Sequence, residues 1–204
     1  MRDMKDYESR YVQEPFEDTM VQIRRRMVLA QCMKYKHSRI LEAGCGMRPL
    51  FQDFSDFDYM AIVEPCGEFA GHAQSAACSG KLADKVRVYH DFLENAALNM
   101  MEEGQQYDLI IVSSLLHEVD DPSALLHAVR MLCSGDTVVH INVPNAASMH
   151  RLVALEGGMI TDLHEISGQQ ELMQRRRTYD MEQLSHQVEE AGFLIVDSGS
   201  CFIK

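Results

Sequence analysis

The chain predicts an α/β, doubly wound sheet of seven strands, mostly parallel, with a reversed last strand and N-terminal helices ahead of it. Three observations carry that expectation. Strand-length apolar runs alternate with helical patterns from residue 38 onward. The first run closes on a glycine-bearing turn, Leu41-Glu42-Ala43-Gly44-Cys45-Gly46. The next run, Ile62-Val63-Glu64-Pro65, ends on an acid about twenty residues later, the spacing of a nucleoside-binding βαβ unit.

The elements follow in order. The first thirty-six residues are helical in pattern and interrupted at Pro15; beyond Phe16, Met20, Ile23, Met27, Ala30 and Met33 recur at helical spacing. Arg24-Arg25-Arg26 lies on that helix and reads as a solvated face. Strands are expected at 38–43, 59–64, 86–90, 107–113, 136–142, 192–198 and 200–204, with helices near 66–80, 94–102, 122–133 and 179–191. Asp121 and Pro122 suit the cap and first position of a helix. Arg48 and Pro49 leave only Phe51 to Phe57 before the second strand, an unusually short crossover. The last two strands meet at Gly199, too tightly for a helix between them, so they pair as an antiparallel hairpin. The chain stops at Lys204 just as that strand should finish, which reads as a clipped sheet edge or a shortened chain.

The organisation expected is an N-terminal helical segment, 1–37, and one domain over 38–204. The stretch 143–178 has no strand character, and a segment that long is usually functional. It should lie above the carboxyl ends of the strands, where ligands bind, and carry substrate specificity.

Composition narrows the function classes. With 204 residues the chain suffices for one well-cored domain. A net charge of −12 lacks the basic footprint of a nucleic-acid binder. The six cysteines show no C-x-x-C spacing and mostly sit in apolar runs, as buried reduced thiols of a cytoplasmic protein would. No signal peptide or membrane-length apolar stretch is present, so no membrane partner is expected.

Gly44 and Gly46 let the backbone approach a ligand with no side chain in the way. A carboxylate at Glu64 can accept hydrogen bonds from two ribose hydroxyls. Arg48 stands where a dinucleotide fold wants a third glycine beside a pyrophosphate, which disfavours NAD more than a cofactor without one. Arg48 itself reads either as a surface arginine or as a partner for a cofactor carboxylate.

These motifs resemble the class I S-adenosylmethionine-dependent methyltransferases. The resemblance rests on the E-x-G-x-G of Glu42, Gly44 and Gly46, on Glu64, on Asp91-Phe92, on Tyr107-Asp108-Leu109-Ile110, and on the Ser113–Pro122 loop. It implies a Rossmann-like methyltransferase fold, S-adenosylmethionine as cofactor and S-adenosylhomocysteine as product. By the same resemblance Glu42, Gly44 and Gly46 frame the methionine end, Glu64 takes the ribose, Asp91 and Phe92 meet the adenine, and Ser113 and Ser114 floor the sulfonium. N-terminal helices often form part of the lid in this family. The stretch from Val143 to Arg151, with Leu163-His164-Glu165-Ile166-Ser167 and Arg175-Arg176-Arg177-Thr178-Tyr179, resembles a bacterial subgroup associated with surface-polysaccharide and small-molecule pathways. Gln174 stands where that subgroup commonly has histidine.

Methyl transfer from a sulfonium is an in-line displacement, so the protein places a nucleophile and excludes water. A hydroxyl nucleophile gains from a base, and His117, after the fourth strand, is the first candidate, with Tyr179 the second. His117 reads equally as a residue that orders its loop. Asn145, His150, His164 and Arg176 offer groups that could orient a polar or anionic acceptor. The arginines read equally as caps of loop carbonyls or partners of Glu165 and Glu171. His117, Glu118, Asp120 and Asp121 do not converge as a hard cation requires, and no metal is expected. The expected function is methyl transfer to a hydroxyl or anionic oxygen of a sugar or phosphorylated metabolite, in a monomer or homodimer. N-methylation of a small amine, a non-catalytic cofactor-binding protein and an NAD-dependent oxidoreductase are the alternatives.

Overall fold

The structure is a computed structural model that describes residues 17–172 and 175–200. Helix α1 (Glu17–Lys34) leads into β1 (Arg39–Ala43), a 3-10 turn (Leu50–Gln52), β2 (Tyr59–Val63), α2 (Gly67–Ser79), β3 (Val86–Tyr89) and α3 (Leu93–Glu102). Then come β4 (Tyr107–Ser113), α4 (Pro122–Met131), β5 (Cys133–Asn142), α5 (Met149–Glu156), α6 (Gly168–Leu172) and α7 (Met181–Glu190). The five strands form one parallel sheet in the order β3-β2-β1-β4-β5. The order reverses between β1 and β4, and the crevice beyond the carboxyl ends of those strands is where such a sheet binds ligands.

The central strands β1, β2 and β4 are mostly apolar because both faces of the sheet are covered there. Leu41, Ala43, Ala61, Val63, Ile110 and Val112 share one core with Ala96, Ala97 and Met100 of α3 and Leu125, Leu126 and Val129 of α4. Ile40, Met60, Ile62, Leu109 and Ile111 face the other way, against Val28 and Cys32 of α1, Leu50 and Phe51 of the 3-10 turn, and Ala73 and Ala77 of α2. Register levels the rim: Ala43 lies beside Val63 on one side and Val112 on the other. The next residues, Gly44, Glu64 and Ser113, therefore surround one point.

The short crossover is present, with the 3-10 turn standing where a helix would otherwise connect β1 to β2. On α1 the buried stripe is displaced from the expected one. Val28 and Cys32 are buried, whereas Met27 and Met33 are exposed, so the core face runs through 21, 25, 28 and 32. Met20 and Ala30 were expected to face inward; Ala30 is exposed, and the side chain of Met20 lies outside the described residues, as does Pro15. Within 143–178, α5 and α6 form, and a lone parallel bridge joins Asn145 to Tyr179.

Two strand expectations need correction. Residues 192–198 form no strand, and the described sheet has five strands, all parallel, not seven with one reversed. Phe193 packs on the core, but Leu194 and Val196 are 86% and 69% exposed. A strand needs a neighbour to accept its backbone hydrogen bonds, and 192–198 have none among the described residues; the second half of the expected hairpin, 201–204, lies outside them. The fifth strand also starts three residues before the expected 136, through an irregularity where Thr137 Oγ1 donates to the Tyr107 carbonyl at 2.6 Å.

Asp121 caps α4 as its sequence position suggests, accepting the backbone N–H groups of Ser123 and Ala124 at 2.9 and 3.0 Å, with Pro122 at the first turn. Asp121→Ala is expected to cost about 1 kcal/mol, read as a lower urea midpoint with an unchanged slope.

Candidate active site at the carboxyl rim of the sheet

The point fixed by strand register is the floor of a cavity of about 120 Å³. Glu42, Gly44, Gly46, Glu64, Ser113 and Ser114 line it from the strand ends. Val21, Arg24, Arg25 and Val28 of α1 roof it, and Leu115, His117, Glu118, Pro144 and Arg175 close the β4–β5 side. Gly44 and Gly46 adopt φ of +73° and +57°, a region that costs any residue with a Cβ. A Cβ on Gly44 would also sit 3.4 Å from the Leu115 side chain.

Two buried carboxylates shape the turn. Glu64, 4% exposed, accepts the Gly46 N–H at 3.1 Å on one oxygen and the Cys66 N–H at 2.9 Å on the other. Each oxygen keeps a lone pair for a ligand hydroxyl. Glu42 accepts the Leu50 N–H at 2.8 Å and faces Arg25 Nη1 at 3.5 Å. Burial pushes the Glu42 carboxyl up to about 7, more than Arg25 and the Leu50 N–H lower it, with the nearby Glu64 adding to the rise. Burial raises Glu64 as well, against the pull of its backbone donors. It likewise holds the Cys45 thiol protonated between them.

The floor beneath β4 is held by Asn142. Its side-chain oxygen accepts the Ser114 N–H at 3.1 Å and its amide donates to Ser113 Oγ at 2.9 Å. Ser114 sits at φ +54°, strained for a residue with a Cβ, and these bonds hold it there. The same amide meets His140 Nε2 at 3.0 Å. Burial lowers His140, keeping it neutral.

His117 reaches the cavity from the loop after β4 and is 2% exposed, with Nε2 3.6 Å from a Glu118 carboxylate oxygen. Its carbonyl accepts the backbone N–H groups of Arg176 and Arg177 at 3.1 and 3.3 Å. The segment after α6 is thus clamped onto the His117 loop.

The remaining expected site residues fall elsewhere. Asp91 accepts the Phe92 N–H at 2.7 Å and the Asn95 amide at 2.8 Å, so it organises the start of α3 on the β3 side of the rim. Phe92, 37% exposed, stands at the cap of that helix. Neither lines the cavity. Tyr179 is buried in the core, its hydroxyl donating to Gln187 Oε1 at 2.5 Å. Asn145 accepts the Ala147 N–H at 2.8 Å in a turn, and His150 meets Ser148 Oγ at 3.2 Å. His164 lies between Thr178 Oγ1 at 3.3 Å and Asp180 at 3.4 Å. Arg176 pairs with Asp120 at 3.3 Å. None of these five lines the cavity either. Arg48 is exposed and paired with Asp53, the surface reading of that residue.

Sequence reasoning missed the arginines that do line it. Arg24 and Arg25 are not part of a solvated face: Arg25 pairs with Glu42, lies 3.7 Å from Asp53 and donates to the Arg48 carbonyl. The available signal was its place on the 21, 25, 28, 32 stripe of α1. Among the described residues, no group of three or more His, Cys, Asp or Glu could hold a metal ion, and no helix is long and apolar enough to cross a membrane.

Comparison with known proteins accords with this geometry. A family profile described as a methyltransferase domain matches residues 16–198. No protein of curated function matches the sequence. Among solved structures, the chain is similar to an S-adenosylmethionine-dependent methyltransferase from Clostridium acetobutylicum, at 14% identity and TM-score 0.62, over 86% of this chain and 82% of that one. It is also similar to one from Thermotoga maritima described as a possible histamine N-methyltransferase, at 17% identity and TM-score 0.61, over 94% and 81%. A third similar structure is the [4+2]-cyclase SpnF, at 15% identity and TM-score 0.61, over 85% of this chain and 57% of that one. At these identities the likenesses establish the fold.

The buried carboxylates carry a pH signature. The folded chain holds the Glu42 proton from its ordinary 4.5 up to about 7, so it binds more protons than the unfolded chain in that window. Stability of the ligand-free protein should therefore fall as pH rises from 4.5 to 7 and level off above. Glu42→Gln should flatten part of that slope in urea titrations across the range, while Glu64 and Glu94, both raised by burial, keep contributing to it.

Proposed function

We propose, for a chain that belongs to the methyltransferase domain family, transfer of a methyl group from S-adenosylmethionine to an oxygen of a small polar acceptor. The observation that carries this reading is the convergence of Glu42, Gly44, Gly46, Glu64 and His117 on one cavity at the sheet's switch point. S-adenosylmethionine supplies a methyl carbon already activated on a sulfonium. Glu64 accepts the ribose hydroxyls, and the open backbone at Gly44 and Gly46 lies along the methionine portion. Asp91 and Phe92 serve the adenine from the β3 end of the same rim. Ser113 and Ser114, held by Asn142, lie beneath the reacting centre.

His117 acts on the acceptor. As the methyl carbon bonds to the acceptor oxygen, His117 takes the hydroxyl proton and the sulfur keeps the electron pair of the broken bond. Glu118 at 3.6 Å stabilises the imidazolium that results. A buried histidine beside a carboxylate favours an oxygen nucleophile over an amine, because a neutral amine needs placement and no base. The resemblance around Val143 to Arg151 suggests a sugar or sugar-phosphate acceptor, consistent with a surface-glycan pathway. Tyr179, Asn145, His150, His164 and Arg176 carry no role in the step, since their polar groups are engaged outside the cavity.

Helix α1 works as a lid. A cavity of about 120 Å³ is smaller than the roughly 300 Å³ and upward of small-molecule sites. Arg25 and Glu42 then hold the closed arrangement, and α1 moves aside to admit the cofactor.

Calorimetric titration tests the reading. S-adenosylmethionine and S-adenosylhomocysteine are expected to bind at micromolar concentration, with no heat from NAD. Glu64→Ala should weaken both at least tenfold, by loss of two hydrogen bonds to a charged group. Unchanged affinity would remove Glu64 from the site. His117→Ala should leave cofactor affinity within twofold and lower the transfer rate about 10² to 10⁴-fold. An equal loss of binding would make His117 structural.

A further inference from the structure

Three consecutive arginines follow α6, and the structure gives them different work. Arg177 donates to the carbonyls of Val119 and Asp120 at 3.1 and 3.0 Å. Arg176 pairs with the Asp120 carboxylate, and both backbones are fixed on the His117 carbonyl. Arg175 turns the other way and lines the cavity. Its backbone N–H is anchored on the Gln170 carbonyl at 2.9 Å. Its Nε is buried and meets no hydrogen-bond acceptor among the described residues. A buried guanidinium N–H without an acceptor is costly, and such a group is kept where something else completes it.

The position of Arg175 says which molecule does so. The cavity has an acidic side, where Glu42 and Glu64 end β1 and β2, and Arg25 is already committed to Glu42 and Asp53. Arg175 belongs to the β4–β5 side, with His117, with the Glu118 carboxylate 3.6 Å from that histidine, and with Pro144 beyond β5. An anionic group held there is beside the base and away from the ribose carboxylate. Guanidinium presents Nε–H and Nη–H as a planar fork that matches two oxygens of a carboxylate or phosphate.

We infer that Arg175 is the acceptor's anion-binding residue, so that the methyl acceptor is a small molecule carrying a carboxylate or phosphate group in addition to the oxygen that is methylated. This rests on the methyltransferase reading of the cavity. It moves recognition from Arg176, the residue favoured from sequence, to its neighbour. The Arg175 fork fixes one end of the acceptor and leaves a hydroxyl within reach of His117.

Inorganic phosphate serves as the probe, titrated by thermal shift and by NMR of arginine Nε–H groups into protein saturated with S-adenosylhomocysteine, in a phosphate-free buffer. Wild-type protein is expected to bind phosphate saturably at millimolar concentration and to shift one buried Nε–H resonance, which Arg175→Lys lacks. Arg175→Met should weaken phosphate at least tenfold and Arg175→Lys less, with S-adenosylhomocysteine affinity within twofold in both, which also reports that they fold. Arg26→Met, at an exposed position of α1, should bind phosphate as wild type does. Absence of saturable binding, or equal binding by wild type and Arg175→Met, overturns the proposal. A tenfold loss of S-adenosylhomocysteine with phosphate unaffected also overturns it and gives Arg175 to the cofactor's carboxylate. Failure of wild-type protein to bind S-adenosylhomocysteine sinks the methyltransferase reading instead, and is seen before phosphate is added.

Discussion

Glu64 accepting the backbone N–H groups of Gly46 and Cys66 is the constraint on which the site depends. One buried carboxylate joins the turn after β1 to the entry of α2, which would otherwise be separate loops on adjacent strands. Glu42 repeats the device one strand inward, joining β1 to the 3-10 turn through Leu50 and to α1 through Arg25. Burying two acids so close together is expensive, and the raised carboxyl of Glu42 expresses that cost. Backbone donors offset part of it, and they also draw the glycine turn into its left-handed conformation.

A site with two buried carboxylates on one side takes its opposing charge from outside the sheet. Arg25 brings it from α1, and Arg175 from the segment clamped to the His117 loop. The roof is bound to the floor by the Arg25–Glu42 pair as well as by the apolar packing of Val28 and Cys32, and the wall by backbone hydrogen bonds to the His117 carbonyl. The ion pair suits a roof that must part to admit a ligand, because it can re-form with the ligand's own charges.

The fold by itself leaves the chemistry open, since one architecture hosts many reactions. Function is set by side chains at the rim: a carboxylate that can take hydroxyls, a buried histidine, and an arginine whose Nε has no acceptor among the described residues.

The local features were legible in the sequence because they use local backbone. Glycines at 44 and 46 meet a turn that demands positive φ, Asp121 and Pro122 start a helix, and apolar runs become strands covered on both faces. The acid at Glu64 could be placed at the end of β2 from spacing alone. What only the tertiary structure decided were matters of distant partnership. Arg25 is inside because Glu42 waits for it on another element, and Arg175 rather than Arg176 faces the cavity because the loop after β4 claims its neighbours, Arg176 by the Asp120 carboxylate and Arg177 by the Val119 carbonyl. Residues 192–198 have the composition of a strand yet join no sheet among the described residues, because composition alone does not supply a partner for the backbone hydrogen bonds.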